Sequence, residues 1–162
     1  MTEPPGFCIR PATREDLERL IELATEMVVH SISPFREVGF EQVREYRRSD
    51  LRSLEDALDL AHTGIFVAED SGGALAGHVI AMAGQRDSST GEGQGWVFDL
   101  SIRGDCWGRG LGRALMKTAE EFVRGRGYRY LGLGVTVSNQ RALRFYREMG
   151  YLEERVQMVK KL

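Results

Sequence analysis

The sequence predicts an α+β fold in three layers, with one mixed, mostly antiparallel central sheet flanked by helices. Three observations predict it. The apolar period is helical over residues 17–29 and again from residue 40, then changes to strand runs from residue 65. Asp70-Ser71-Gly72-Gly73 separates two such runs and has the composition of a hairpin turn. Gly108-Arg109-Gly110-Leu111-Gly112 leads from a strand into an amphipathic helix. The chain has 162 residues, 42% hydrophobic and 28% charged, enough to bury a core without disulfides. It is expected to form one domain over 1–162, with residues 1–6 loose.

Phe7-Cys8-Ile9-Arg10 is a short strand candidate, and Thr13-Arg14-Glu15-Asp16 after Pro11 has the spacing of a capping box. Leu17, Leu20, Ile21, Ala24 and Val28 place an amphipathic helix up to about residue 29. His30-Ser31-Ile32-Ser33-Pro34 interrupts it. A second helical pattern carries Phe40, Val43, Leu51, Leu54, Leu58 and Ala61, with a break near Ser49-Asp50 and an end at Thr63-Gly64. Ile65 to Ala68 and Ala74 to Ala83 are strands around the hairpin turn. Gly84 to Gly95 is polar and glycine-rich, and is expected to be a mobile loop between antiparallel strands. Trp96 to Ile102 is apolar enough to be a central strand, and Asp99 stands out within it. Leu111, Leu115, Ala119 and Phe122 share one face of the next helix, which Gly125-Arg126-Gly127 stops. Tyr130 to Val137 is a strand, Asn139 to Met149 a short helix closed by Gly150, and Tyr151 to Val159 a final strand.

Composition excludes several classes. With 22 Lys and Arg against 24 Asp and Glu, the net charge of −2 argues against a dedicated DNA-binding module. No apolar run has the length of a membrane span. MTEPPGFCIR is acidic and Pro-rich, unlike a signal peptide. Cys8 and Cys106 lie far apart with no CxxC spacing, so a reduced, cytoplasmic protein with inert thiols is expected. No His/Cys/Asp cluster has metal-ligand spacing, so no metal is expected.

A glycine cluster between strand and helix exposes unpaired amides at the positive end of a helix, where phosphate can bind. Charge supports that use: residues 103–129 hold seven basic residues against three acids, while residues 14–60 hold seven against twelve. The P-loop pattern is absent, because no Gly-Lys-Ser/Thr occurs. The dinucleotide fingerprint fails at its third position, which is Arg113. A tight turn that merely lets helix and strand pack closely is the other explanation.

The stretch from Leu100 to Leu115 (LSIRGDCWGRGLGRAL) resembles the acetyl-CoA-binding signature of the GNAT N-acetyltransferase family. That signature runs strand, short loop, [Q/R]-x-x-G-x-[G/A], helix. Asn139 to Tyr151 (NQRALRFYREMGY) resembles the family's N-x-x-A-x-x-[F/L]-Y-x-x-x-G-[F/Y] at the expected distance. Ile9-Arg10-Pro11-Ala12 with Glu15-Asp16-Leu17 is also typical, so the resemblance spans essentially the whole chain. It implies the GNAT acyl-CoA N-acyltransferase fold and direct transfer of acetyl from acetyl-CoA to an amine.

By resemblance, Gly108, Arg109, Gly110, Leu111, Gly112 and Arg113 form the turn whose amides hold the CoA pyrophosphate. The backbone of Leu100 and Ile102 pairs with the pantetheine arm like an added strand, satisfying amides that need partners once desolvated. One departure is plain: the family's Gln/Arg position is Trp107, which cannot donate a fork of hydrogen bonds to phosphate. Asn139 is either a helix N-cap or a hydrogen-bond partner of the pantetheine arm. Tyr146 is either a core aromatic or, as in the family, the acid that protonates the leaving thiolate. A base is useful because a Lys-like amine is mostly protonated at pH 7. Asp99 is the first candidate, against an acid merely paired with a neighbouring Arg; Glu69 and His78 are weaker ones.

The implied acceptor is a small-molecule or peptide amine, with no nucleic acid or membrane as partner, and a homodimer as an assembly. The acceptor's identity and an acyl group larger than acetyl stay open. Two rival functions fit the residues: a noncatalytic acyl-CoA-binding sensor, suggested by Trp107, and a nucleic-acid binder using 103–129. The latter lacks an aromatic-interleaved basic stripe.

Overall fold

The computed structural model describes residues 4–54 and 61–162. One five-stranded sheet runs in the order β1 (Phe7–Pro11), β2 (Thr63–Asp70), β3 (Leu75–Arg86), β4 (Gly93–Ile102) and β5 (Leu131–Leu133). β1 through β4 pair antiparallel, and β4 with β5 is parallel, giving the mixed, mostly antiparallel sheet that the sequence predicts. Helices α1 (Leu17–Met27) and α2 (Phe40–Arg52) pack on one face, through a cluster of Leu20, Ile21, Ala24, Leu51, Ile65, Val67 and Ile80. Helix α3 (Leu111–Arg124) packs on the other through Leu111, Leu115, Met116, Ala119 and Val123, and helix α4 (Gln140–Glu148) adds Phe145 and Tyr146 beside it. Among the described residues no helix is long and apolar enough to cross a membrane.

Leu115 is fully buried between α3 and β3. Leu115→Ala is expected to destabilise the protein by about 3 kcal/mol, lost transfer energy plus an unfilled cavity, read as a lower urea midpoint. The N-terminal cap forms as predicted. Asp16 accepts from the Thr13 amide at 2.8 Å, and its buried carboxylate also receives the Arg10 guanidinium as a fork at 2.7 and 2.9 Å. That fork, opposed by burial, holds Asp16 well below the usual carboxylate range.

Four expectations change. Helix α2 runs unbroken through Ser49-Asp50, and Leu58 lies outside the described residues. Half of the stretch expected as a mobile loop, 84–95, is strand: β3 runs to Arg86 and β4 starts at Gly93. Its turn is closed by Asp87, which accepts from the Ser89 and Thr90 amides and the Thr90 hydroxyl and pairs with Arg155. The expected strand over Tyr130–Val137 shrinks to Leu131–Leu133. Tyr151–Val159 forms no strand: β5 is too short to offer an edge, and Leu152, Val156 and Met158 are exposed. Side chains tie this tail down instead, with the Tyr151 hydroxyl donating to Glu120 at 3.1 Å.

Candidate active site

The site lies where β4 and β5 part. Their pairing covers Gly95–Val97 against Leu131–Leu133 and stops there. On the other side β4 continues along β3, but Ile80 faces Asp99 and Ala81 faces Val97, so Phe98 is the extra residue of a bulge. The bulge resets which backbone groups face which neighbour. Arg103 N–H donates to Ala76 O at 2.9 Å, so by antiparallel alternation Ser101 and Asp99 also turn their peptide groups toward β3. Leu100 and Ile102 therefore turn theirs into the gap that β5 leaves. Four peptide groups there need partners; one of them, Ile102 O, accepts from the Trp107 indole N–H at 2.8 Å.

That gap is a cavity of about 710 Å³, lined by both strands, by the end of α1 and the start of α3, and by one side of α2 and of α4. At one end stands the glycine turn. Gly108 and Gly110 have φ of +74° and +81°, a conformation L side chains rarely adopt, and Gly110 sits just before α3. The first turn of α3 carries no acid and no side-chain cap, so the amides after Gly110 face outward with the positive end of the helix behind them. Gly108, Gly110, Leu111, Gly112 and Arg113 all line the cavity. Arg109 does not: its guanidinium lies 4.4 Å from the centroid of the Phe7 ring. An extended ligand with amides along its length and anions at one end fits this edge and turn.

Asp99 stands on the opposite face of β4, toward α2. Its Oδ2 receives His78 Nε2–H at 2.5 Å and the Ser101 hydroxyl at 3.0 Å, while Oδ1 pairs with the Arg47 guanidinium from α2. Arg47 also contacts Asp50 at 3.1 Å and lies over the Phe98 ring. Burial pushes the Asp99 carboxyl up, but His78, Arg47 and Ser101 outweigh it and hold it down at about 2. His78 is fully buried, and among the described residues its Nδ1 has no hydrogen-bond partner.

Tyr146 on α4 lines the cavity, packed against the rings of Phe145 and Tyr151. Burial, with the Asp99 charge adding to it, pushes its phenol up to about 12. Its hydroxyl has no hydrogen-bond partner among the described residues. Asn139 caps α4, accepting from Ala142 N–H at 3.1 Å, and also lines the cavity. Trp107 folds back across the end of β4, with the His30 ring edge-on at 5.2 Å and the Arg141 guanidinium 3.1 Å above its centroid.

The structure thus brings Leu100, Ile102, the glycine turn, Trp107, Asn139, Tyr146 and Asp99 around one cavity. It leaves out two base candidates. Glu69 is bound by Arg10 and Arg19 on β2, two strands away from β4, and His78 is sealed behind Asp99. Arg47 and Arg141 are additions. Arg47 is one of four arginines in α2 and carries no sequence signal that sets it apart. Arg141 carries little local signal either: it sits in the first turn of α4, two residues after the cap, and meets an aromatic residue 34 positions earlier. Cys106 is buried beside the cavity, and burial pushes its thiol up. Among the described residues no group of three or more His, Cys, Asp or Glu is placed to hold a metal.

Comparison with known proteins matches this geometry to a family. The acetyltransferase (GNAT) family model matches residues 17–151. N-acetyltransferase 8F1 of Rattus norvegicus is 32% identical over 111 residues, covering 68% of this chain and 49% of that protein. Serotonin N-acetyltransferase 2, chloroplastic, of Oryza sativa subsp. japonica is 32% identical over 117 residues, 72% of this chain and 52% of that protein. The chain spans about half the length of these relatives. Among solved structures, AAC(6')-Iy in complex with the bisubstrate analog CoA-S-monomethyl-acetylneamine shares the fold, with a TM-score of 0.71 at 16% identity over 96% of this chain and 98% of that one. A β4 that opens from β5 onto a glycine turn, within a matched span that takes in both sequence motifs, places this chain in the GNAT acetyltransferase family.

Proposed function

We propose that residues 1–162 form one N-acetyltransferase domain that moves the acetyl group of acetyl-CoA directly to an amine of a small molecule or peptide. The observation that carries this is the backbone edge of Leu100 and Ile102, which β5 leaves open except where Ile102 O accepts from Trp107, and which ends beside the glycine turn before α3. Such an edge suits the two amides of a pantetheine arm, and the turn suits a pyrophosphate. Acetyl-CoA supplies the activated thioester. The chain supplies alignment: the β4 edge fixes the arm, the amides of Gly108 to Arg113 hold its anionic end, and Asn139 keeps α4 in place. Tyr146, a phenol with a free hydroxyl and an elevated pKa, holds a proton for the departing thiolate.

For Asp99, its three hydrogen-bonding partners and a pKa near 2 favour a fixed anion over a proton acceptor. Taking a proton from a Lys-like ammonium would mean bridging about eight pH units. Asp99 instead holds Arg47 and Ser101 in place on the side of the cavity toward α2, and the amine loses its proton to water at the cavity mouth.

Isothermal titration tests the donor assignment. Acetyl-CoA and CoA are expected to bind saturably, while ATP and NAD do not. Binding of neither CoA species would overturn the proposal.

A further inference from the structure

Trp107 stands where the GNAT pattern has Gln or Arg, so the side chain that would reach the donor's phosphates is missing. The structure places another cation at that spot. Arg141 reaches from α4 and sets its guanidinium over the Trp107 ring, with Cζ 3.1 Å from the centroid. The ring is itself fixed, by its N–H bond to Ile102 O and by the His30 edge. Among the described residues no carboxylate pairs with Arg141, whereas Arg10, Arg47, Arg103 and Arg155 each have one. Partial burial lowers its pKa from the ordinary value, with no opposing charge to raise it. Both Arg141 and Trp107 line the same cavity as Gly108, Gly110 and Arg113. A guanidinium seated on an aromatic face still has N–H groups to donate, and its planar fork matches two phosphoryl oxygens.

We propose that Arg141, carried on the face of Trp107, is the cation that grips a phosphoryl group of the acetyl donor, in place of the side chain missing at position 107. This rests on the acetyl-CoA assignment above. Trp107 is then a positioning residue: it acts through Arg141.

The test is calorimetric binding, which needs no acceptor and no turnover. Arg141→Ala is expected to weaken CoA binding about tenfold, the loss of one charge-assisted contact. Arg129→Ala removes an equal charge from a residue stacked on Tyr130 outside the cavity, and is expected to leave the affinity unchanged. Trp107→Ala is expected to lose at least as much as Arg141→Ala, and the double variant no more than Trp107→Ala alone. Repeating the series with 3′-dephospho-CoA identifies the phosphoryl group: an undiminished Arg141 effect assigns the pyrophosphate, a vanished one the 3′-phosphate. Wild-type CoA affinity in Arg141→Ala, or equal losses in Arg141→Ala and Arg129→Ala, overturns the role of Arg141 while the donor assignment stands. Additive losses at 107 and 141 overturn the carrier role of Trp107. If the wild-type protein binds no CoA, the donor assignment falls and this one with it.

Discussion

Tyr146→Phe is expected to lower kcat about 100-fold for any acceptor that supports turnover, with CoA affinity unchanged. The phenyl ring keeps the packing against Phe145 and Tyr151, so only the proton is lost. Steady-state kinetics beside CoA titration separates the two quantities. A large drop in CoA affinity with kcat intact would assign Tyr146 to binding instead. The phenol, pushed up to about 12 first by burial and then by Asp99, stays protonated throughout the neutral range. Its ionisation should therefore produce no fall in kcat below about pH 10. Since the folded pKa lies above the usual one, any stability linked to it is intact below pH 10 and lost only as pH rises toward 12.

The second large effect is structural. Asp99→Ala leaves the Arg47 guanidinium, His78 Nε2–H and the Ser101 hydroxyl without their common acceptor, and is expected to destabilise the fold by about 3 kcal/mol. Asp50 keeps a contact with Arg47, which holds the loss near the low end for a broken buried pair. Urea denaturation measures it. The sign with pH follows from the lowered carboxyl. A folded pKa of about 2 lies below the unfolded 3.8, so the stabilisation is present above about pH 4 and disappears as pH falls toward 2. The neutral-pH kinetics carry a corollary. With Asp99 already an anion from pH 4 upward, kcat/KM should rise with pH along the acceptor's own ammonium titration. A plateau that stays near pH 6–7 when amines of different pKa are compared would point to a base in the protein.

The glycine turn, the N-cap Asn139, the apolar face of α3 and the hairpin at Asp70 to Gly73 were all legible because each is local. A positive φ, a cap or a helical stripe is dictated by residues within a turn of one another. The Gly84 to Gly95 segment misled for the converse reason. Its strand ends are polar and solvent-facing, so the period vanished, and the order comes from Asp87 and a distant arginine, Arg155. The tail from Tyr151 alternates enough to suggest a strand, yet a strand needs a neighbour, and β5 ends at Leu133.

By itself, then, the sequence determined the fold class, the family and most of the residues that gather around the cavity, since those are written as short-range patterns in a fixed order. Only the tertiary structure decided which partners they meet. The bulge at Phe98 sets which peptide groups of β4 face the gap. Arg47, 52 residues before Asp99, turns a candidate base into a held anion, and Arg141 finds its place only because Trp107 folds onto Ile102. Charge pairing and stacking across such distances depend on where the backbone puts two side chains in space, and no local pattern encodes that.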